Sequence, residues 1–192
     1  MSRVSATLAD RRNDLSRQLM LDAAVAVLES GSFSDLTARS IARQANVSER
    51  TVFRYFPSRE ALVDAVADEV RRRMDVPPPP RTLEELQEAP GLLYRRFEAV
   101  RSLVEAALHT ELFPRMRDTQ ARERWVAVRA IVDALAPRRS ERERKIAAAN
   151  IRYFLAATTW HYYRFSFGFT LDETIASAET AIRQTIDALK KR

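Results

Sequence analysis

The spacing of the apolar residues constrains this chain most strongly. Along nearly all of its 192 residues, apolar side chains recur at steps of three and four, the period of an α-helix with one buried face. Runs that alternate apolar and polar residues, as half-buried strands require, are lacking, and the chain has only three glycines. The sequence therefore predicts an all-α protein.

Turn and capping residues divide this pattern into separate helices. A first helix is expected from about Leu15 to Ser30, with Gly31 at its end. Two short helices, about 37–45 and 48–56, follow it, and a fourth helix begins after Pro57 with Ser58 as its N-cap.

Beyond the prolines at 77–80, which cannot lie inside a helix, three Ser/Thr-x-x-Glu capping boxes mark further helix starts. They begin at Thr82, Ser140 and Thr170. The last two helices are expected at about 140–167 and 170–190, the longest in this half of the chain.

Composition excludes several classes of function. The absence of cysteine removes disulfides, thiolate metal sites and cysteine nucleophiles, and the two histidines, His109 and His161, lack the spacing of a metal site. No Gly-rich phosphate loop, Glu-x-x-His pair or Gly-x-Ser-x-Gly elbow occurs, so we expect no enzyme and no cofactor. No apolar stretch reaches the roughly 18 to 20 residues of a membrane span, and the first residues lack a secretion signal, so a cytoplasmic protein without a membrane partner is expected.

The segment LTARSIARQANVSERTVFRYFPSREAL carries the strongest functional signal. Its apolar residues occupy the positions that two helices crossing at a tight turn must bury, and Asn46 stands where a left-handed backbone conformation is needed. The second helix then presents polar groups outward, a surface that suits duplex DNA, and the net charge of +6 agrees with a polyanionic partner. An ordinary three-helix bundle with a solvated polar face fits the same pattern.

Residues from about Arg17 to Val66 resemble the DNA-binding domain of the tetracycline-repressor (TetR) family. The resemblance covers an Ala-rich first helix, GSFSDLTARSIARQANVS and TVFRYFPSREAL. Asn46 replaces the usual turn glycine, Phe53 the common tyrosine and Arg59 the usual lysine. The resemblance implies an N-terminal helix-turn-helix domain at 13–60 after a flexible tail at 1–12, a connecting helix at 61–76 and an effector-binding and dimerisation domain at 77–192.

The same resemblance assigns roles to individual residues. It implies phosphate contacts by Thr37, Tyr55 and Arg59, and base or groove-edge contacts by Arg39, Ser48, Arg50, Thr51 and Arg54. Ala38, Glu49 and Phe53 occupy matching positions without a defined role.

For the C-terminal half, the family implies a helical regulatory domain whose last two helices pair with those of a second subunit. The residues predicted to line an effector pocket are Phe97, Val100, Val104, Trp125, Val128 and Tyr153. Those predicted at the dimer interface are Trp160, Tyr163, Phe167, Ile175, Ala178, Ile182 and Ile186. Because apolar helix faces also form plain cores, periodicity leaves that alternative open for both sets.

Three functions are consistent with these features. The favoured one is a homodimeric, ligand-responsive regulator, usually a repressor in this family, that binds a near-palindromic operator and is released by a small-molecule effector. The second is a DNA-binding helical protein without an effector. The third is an enzyme built on a helical bundle, which the lack of catalytic motifs disfavours.

Overall fold

The computed structural model describes residues 7–31, 33–108 and 110–191, with the backbone alone at 117–120. Within these ranges every regular element is helical, which confirms the all-α prediction. None of the described helices is long and apolar enough to cross a membrane. His109 lies outside the described residues.

The N-terminal part consists of helices α1 (Leu8–Ser30), α2 (Ala38–Gln44), α3 (Glu49–Tyr55) and α4 (Arg59–Met74), with a 3-10 turn at Phe33–Asp35 before α2. After the prolines follow α5 (Leu83–Ala99), α6 (Arg101–Leu108), α7 (Leu112–Leu135), α8 (Glu141–Tyr153), α9 (Ala157–His161) and α10 (Leu171–Lys190). A π-helical turn, Tyr162–Ser166, lies between α9 and α10.

The first helix begins earlier than its apolar period predicts. Thr7 caps α1, because its hydroxyl accepts the Asp10 amide at 3.1 Å while the Asp10 carboxylate accepts the Thr7 amide at 3.0 Å. Arg11 and Arg12 are therefore exposed helical residues, and the flexible tail predicted at 1–12 is wrong from position 8 onward. Residues 1–6 lie outside the described part of the chain.

Side-chain caps begin the later helices where the sequence predicts. Reciprocal capping boxes occur at Ser140 and Thr170, each paired with the glutamate three residues further on. At Thr82 the box is half formed: the hydroxyl accepts the Glu85 amide, but the Glu85 carboxylate accepts the Arg81 amide at 2.7 Å instead. The orphan amides of these helix starts are satisfied either way.

The single helix predicted at 140–167 is broken after Tyr153. At the break the Tyr153 carbonyl accepts the Thr159 hydroxyl at 2.6 Å, and the Phe154 carbonyl accepts the Tyr94 hydroxyl at 2.7 Å. Side chains thus satisfy carbonyl groups that a continuous helix would pair with amides. Tyr153 and residues 155–158, which lie at this break, line a cavity.

The seam of α10 corrects part of the predicted dimer interface. Helix α10 packs against α5 and α8 of its own chain, and its apolar stripe forms their common core. Five predicted interface residues are buried inside this single subunit: Trp160, Ile175, Ala178, Ile182 and Ile186. Their side chains therefore cannot meet a second subunit in this fold, whereas Tyr163 is half-buried and Phe167 is 55% exposed.

Candidate nucleic-acid interface and internal cavity

The turn between α2 and α3 is built around a left-handed residue. Asn46 has φ of 54°, a conformation that asparagine tolerates better than most non-glycine residues. The Val47 amide donates to the Ala42 carbonyl at 2.9 Å, which closes the turn tightly. Ile41 and Val52 are fully buried on either side of it, so the inner faces of both helices lie against the core.

Two of the predicted contact residues also serve as helix caps. The Thr37 hydroxyl accepts the Ser40 amide at 3.1 Å, and the Ser48 hydroxyl accepts the Thr51 amide at 3.1 Å. The Ser48 and Thr51 hydroxyl oxygens are also 2.9 Å apart. These hydroxyls thus fix the starts of α2 and α3 and position the residues that follow them.

The outer surface of α2 and α3 concentrates positive charge. None of the ion pairs among described residues involves its four exposed arginines, Arg39, Arg43, Arg50 and Arg54, called here the arginine face. The Arg54 guanidinium lies 5.1 Å from the centre of the Tyr55 ring, which holds it against the helix. Sequence reasoning missed Arg43, although it lies four residues from Arg39 and so on the same side of α2.

The remaining predicted contact residues surround this face. Glu49 and Phe53 are exposed, while Ala38, Thr51 and Tyr55 are half-buried. Phe53 has no hydroxyl to offer a phosphate, but its ring is accessible on the same surface of α3.

Arg59 differs from the other predicted contacts because its guanidinium already has partners. It donates to the Leu36 carbonyl at 3.2 Å and forms an ion pair with Glu111 at 3.1 Å. It also lies over the Phe33 ring, 5.5 Å from its centre. Glu111 therefore competes with a DNA phosphate for the Arg59 guanidinium.

A cavity of about 690 Å³ lies in the C-terminal half, within the range of small-molecule sites. Helices α4, α5, α6, α7 and α8 and the segment after α8 contribute to its wall. Of the residues predicted for a pocket, Phe97, Val104, Trp125 and Tyr153 line it.

The other two predicted pocket residues lie elsewhere. Val128 is fully buried in the core, and Val100 ends α5 as a half-buried residue, so neither is among the described residues of the cavity wall. Both share the apolar period of residues that do line the cavity. Period identifies a buried face, but it does not say whether another side chain or a void lies opposite.

Sequence reasoning also missed the most unusual residue of this wall. Arg124 is only 5% exposed, and its guanidinium donates to the Pro77 carbonyl. The pKa of Arg124 is lowered to about 10, first by burial and then by the positive charge of Arg152, while the negative charge of Glu123 opposes the shift. No motif marked Arg124, because it is one arginine among many on a mixed helix.

Helices α2 and α3, which are joined by a left-handed turn and together carry the arginine face, form a helix-turn-helix. Many proteins use this arrangement to place the second helix in the major groove of DNA. Residues 20–66 match the family model of bacterial regulatory proteins, tetR family. This match covers the second half of α1, the helix-turn-helix and the first half of α4.

Two further similarities extend beyond the domain. Over 101 residues the chain is 33% identical to the HTH-type transcriptional repressor KstR of Rhodococcus jostii (strain RHA1), a match covering 50% of this chain and 48% of that protein. The chain thus spans about half the length of this curated relative. A TetR transcriptional regulator from Rhodococcus sp. RHA1, solved as a crystal structure, aligns over 93% of this chain and 97% of its own with 19% identity and a TM-score of 0.42.

Proposed function

We propose that the protein is a transcriptional regulator that binds operator DNA as a homodimer and is released from it by a small-molecule effector. The arginine face in a domain that matches the tetR family carries this proposal. Exposed arginines without acidic partners suit phosphate groups and guanine edges. Since the relative that matches half of the chain is a repressor, we propose repression as the outcome.

In this proposal α3 enters the major groove. Arg50 and Arg54 point away from the core and reach base edges or phosphates, while Thr37 and Ser48 lie at helix starts, where amide groups and hydroxyls suit phosphate oxygens. Two such domains would read half-sites about one helical turn apart, which makes a near-palindromic operator the natural target.

A groove between α8 and α10 is the best surface for a second copy of the chain. It has a volume of about 530 Å³ and includes Ile146, Phe154, Ala181 and Leu189. Ile146 is 51% exposed although it is a large apolar residue, and α8 and α10 pack side by side beneath it. We therefore move the proposed dimer contact from the buried stripe of α10 to the outer surface of these two helices.

The cavity supports an effector rather than a regulator that binds DNA alone. Met74, the last residue of α4, and Val76 line it, and α4 begins at Arg59 directly after the helix-turn-helix. Arg96 also donates to the carbonyls of Met74 and Arg73 at 2.7 and 2.8 Å, so this end of α4 is held by its neighbours. A ligand that shifts this end would tilt α4 and change the separation of the two domains; a difference in ligand affinity of roughly 1 to 3 kcal/mol between the two spacings changes occupancy noticeably.

Selection of genomic DNA fragments by the purified protein tests the DNA-binding function. We expect the wild type to enrich a few fragments that share a near-palindrome. Arg50→Ala should weaken binding to the preferred site by about 1 to 3 kcal/mol while leaving non-specific binding nearly unchanged. Arg95→Ala, an exposed change on α5, is the matched control. Failure of the wild type to retain any fragment at low salt would refute the proposal.

Solution mass tests the proposed dimer surface. Sedimentation should give a dimer for the wild type and a folded monomer for Ile146→Glu. Val126→Glu, which places the same charge at an apolar residue that is 66% exposed on α7, should remain dimeric. A monomeric wild type would refute the proposed dimer, and a dimer that survives Ile146→Glu would place the contact on another surface.

A further inference from the structure

We propose that the effector is an apolar molecule with a carboxylate head, and that Arg124 and Arg152 bind this carboxylate. The inference deepens the proposed function, since it names the chemical class of the molecule that the cavity accepts. The supporting observation is that the cavity has a mostly apolar wall that includes positively charged arginines.

The described wall of the cavity is mostly apolar, and its few charged side chains are all positive. Most of its side chains are aliphatic, aromatic or methionine, and they would surround a hydrocarbon or ring system. Arg122, Arg124 and Arg152 also line the cavity, and no aspartate or glutamate is found among the described lining residues. The charged side chains among the described lining residues are therefore all positive.

Arg124 is the lining residue whose surroundings indicate an anionic ligand most directly. Its only hydrogen bond among described residues goes to the neutral Pro77 carbonyl, and no ion pair within the described ranges includes it. Charged groups are rarely buried unless they are paired, because leaving water costs far more than one neutral hydrogen bond returns. Arg124 is 95% covered and bonded only to a carbonyl among the described residues, so its buried charge lacks a counter-ion there.

A carboxylate fits this position better than a neutral polar group. The planar guanidinium donates two parallel hydrogen bonds to a carboxylate, and such charge-assisted bonds are about twice as strong as neutral ones. Arg152 is half-buried in the same wall, and its positive charge also lowers the pKa of Arg124, so an anion bound at Arg124 would be attracted by both guanidinium groups. The apolar remainder of the wall would accept the hydrocarbon part of the same molecule.

The carboxylate would bind beside the segment through which the DNA-binding domain is attached. Pro77 lies three residues after the end of α4, and its carbonyl accepts a hydrogen bond from the Arg124 guanidinium. A carboxylate that takes up Arg124 donors competes with this carbonyl. Binding of the head group is therefore coupled to the position of the chain that leaves α4.

Matched ligand pairs test the proposal on the intact protein. Saturated fatty acids of eight to sixteen carbons would be compared with the alcohols and alkyl phosphates of the same length, below their micelle concentrations. Binding would be followed by thermal shift and by the fluorescence of Trp125, one of two tryptophans in the chain, which lines the cavity. We expect the acids to bind about tenfold or more tightly than the alcohols.

Variants then locate the charge that makes this difference. Arg124→Met should reduce the affinity for the acid about tenfold and leave the affinity for the alcohol unchanged, with a smaller loss for Arg152→Met. Arg95→Met, an exposed change on α5 outside the cavity, should have no effect. If Arg124→Met does not fold, Arg124→Lys, which keeps the charge but loses the planar fork, should bind the acid more weakly than the wild type does.

Equal binding of acids and alcohols, preference for the phosphates, or a preference for acids that survives in both arginine variants would overturn the proposal. Absence of binding by every acid of the series would overturn it as well. DNA selection with the same preparations separates this result from the proposed function: a protein that selects DNA but shows no preference for acids refutes only the ligand class.

Discussion

Arg50 on the outer surface of α3 and Arg124 in the cavity wall both lack a carboxylate partner among the described residues, but their surroundings differ. Arg50 is solvated, so its unpaired charge costs little and remains available to a polyanion. Arg124 has lost its water and gained only a carbonyl, so its unpaired charge is costly until an anion arrives. Burial, rather than the residue type, thus determines which partner an arginine accepts. An exposed arginine such as Arg50 suits an extended phosphate backbone, whereas a buried one such as Arg124 suits a single enclosed head group.

Glu69 provides the reference case of a buried charge that the chain itself satisfies. It is 5% exposed, and it accepts hydrogen bonds from Arg72 at 2.6 Å, Arg73 at 2.7 Å and Gln18 at 3.1 Å. Burial raises the pKa of Glu69, but these three donors outweigh burial and hold it at about 2, below its ordinary value of 4.5.

The largest effect is therefore expected for Glu69→Gln. Because the pKa of Glu69 is lower in the folded state, its contribution to stability is complete above pH 4.5 and is lost as the pH falls toward 2. At pH 7, Glu69→Gln should reduce the free energy of unfolding by up to about 3 kcal/mol, and the loss should shrink between pH 4.5 and 3. Denaturant unfolding across this range measures it, with exposed Glu88→Gln as control. A loss that does not depend on pH would contradict the role of the charge.

A smaller effect is expected where an exposed arginine has a partner that DNA must displace. Arg59→Ala should weaken binding to all DNA sequences alike and lower the slope of log affinity against log salt by about one. Since an exposed ion pair contributes at most about 1 kcal/mol, Glu111→Gln should strengthen binding slightly by releasing Arg59. Fluorescence anisotropy at several salt concentrations measures both. An unchanged slope for Arg59→Ala would show that Arg59 remains with Glu111 on DNA.

The smallest effect is expected for the stability of Arg124→Met without ligand. Replacement of a poorly paired buried charge by an apolar side chain of similar size should change the free energy of unfolding by less than about 1 kcal/mol. Thermal and denaturant unfolding of the ligand-free protein measure it. A loss of about 3 kcal/mol or more would indicate that the bond to Pro77 is structural, and would remove the contrast with Arg50.

The helix-turn-helix could be predicted in detail because its signals are local. Asn46 at the left-handed turn, Ser58 and Thr37 as caps and buried Ile41 and Val52 all act within a few residues of each other in sequence. In a short helix the buried apolar residues fix which side faces outward, so the exposure of Arg50 and Arg54 could be predicted from the pattern. The ion pair of Arg59 could not be predicted in this way, because its partner Glu111 lies at a helix start more than fifty residues further along the chain.

The C-terminal half was predicted as helices but not as a site. Ile182 and Ile186 have the period of a packing seam, and they pack inside their own subunit; Val104 and Val128 have similar periods, yet only Val104 borders the cavity. The break after Tyr153 depends on hydroxyl groups from Tyr94 and Thr159, which meet its carbonyls only after folding.

The all-helical class, most helix starts and the outward side of α3 could be predicted from local signals, because backbone capping and helical period act over one or two turns. Three other features depend on tertiary packing: which apolar faces line a cavity, which lie against the chain's own core, and which arginine is buried. These depend on what lies opposite a residue across the fold, and a helical period carries no information about the opposite wall.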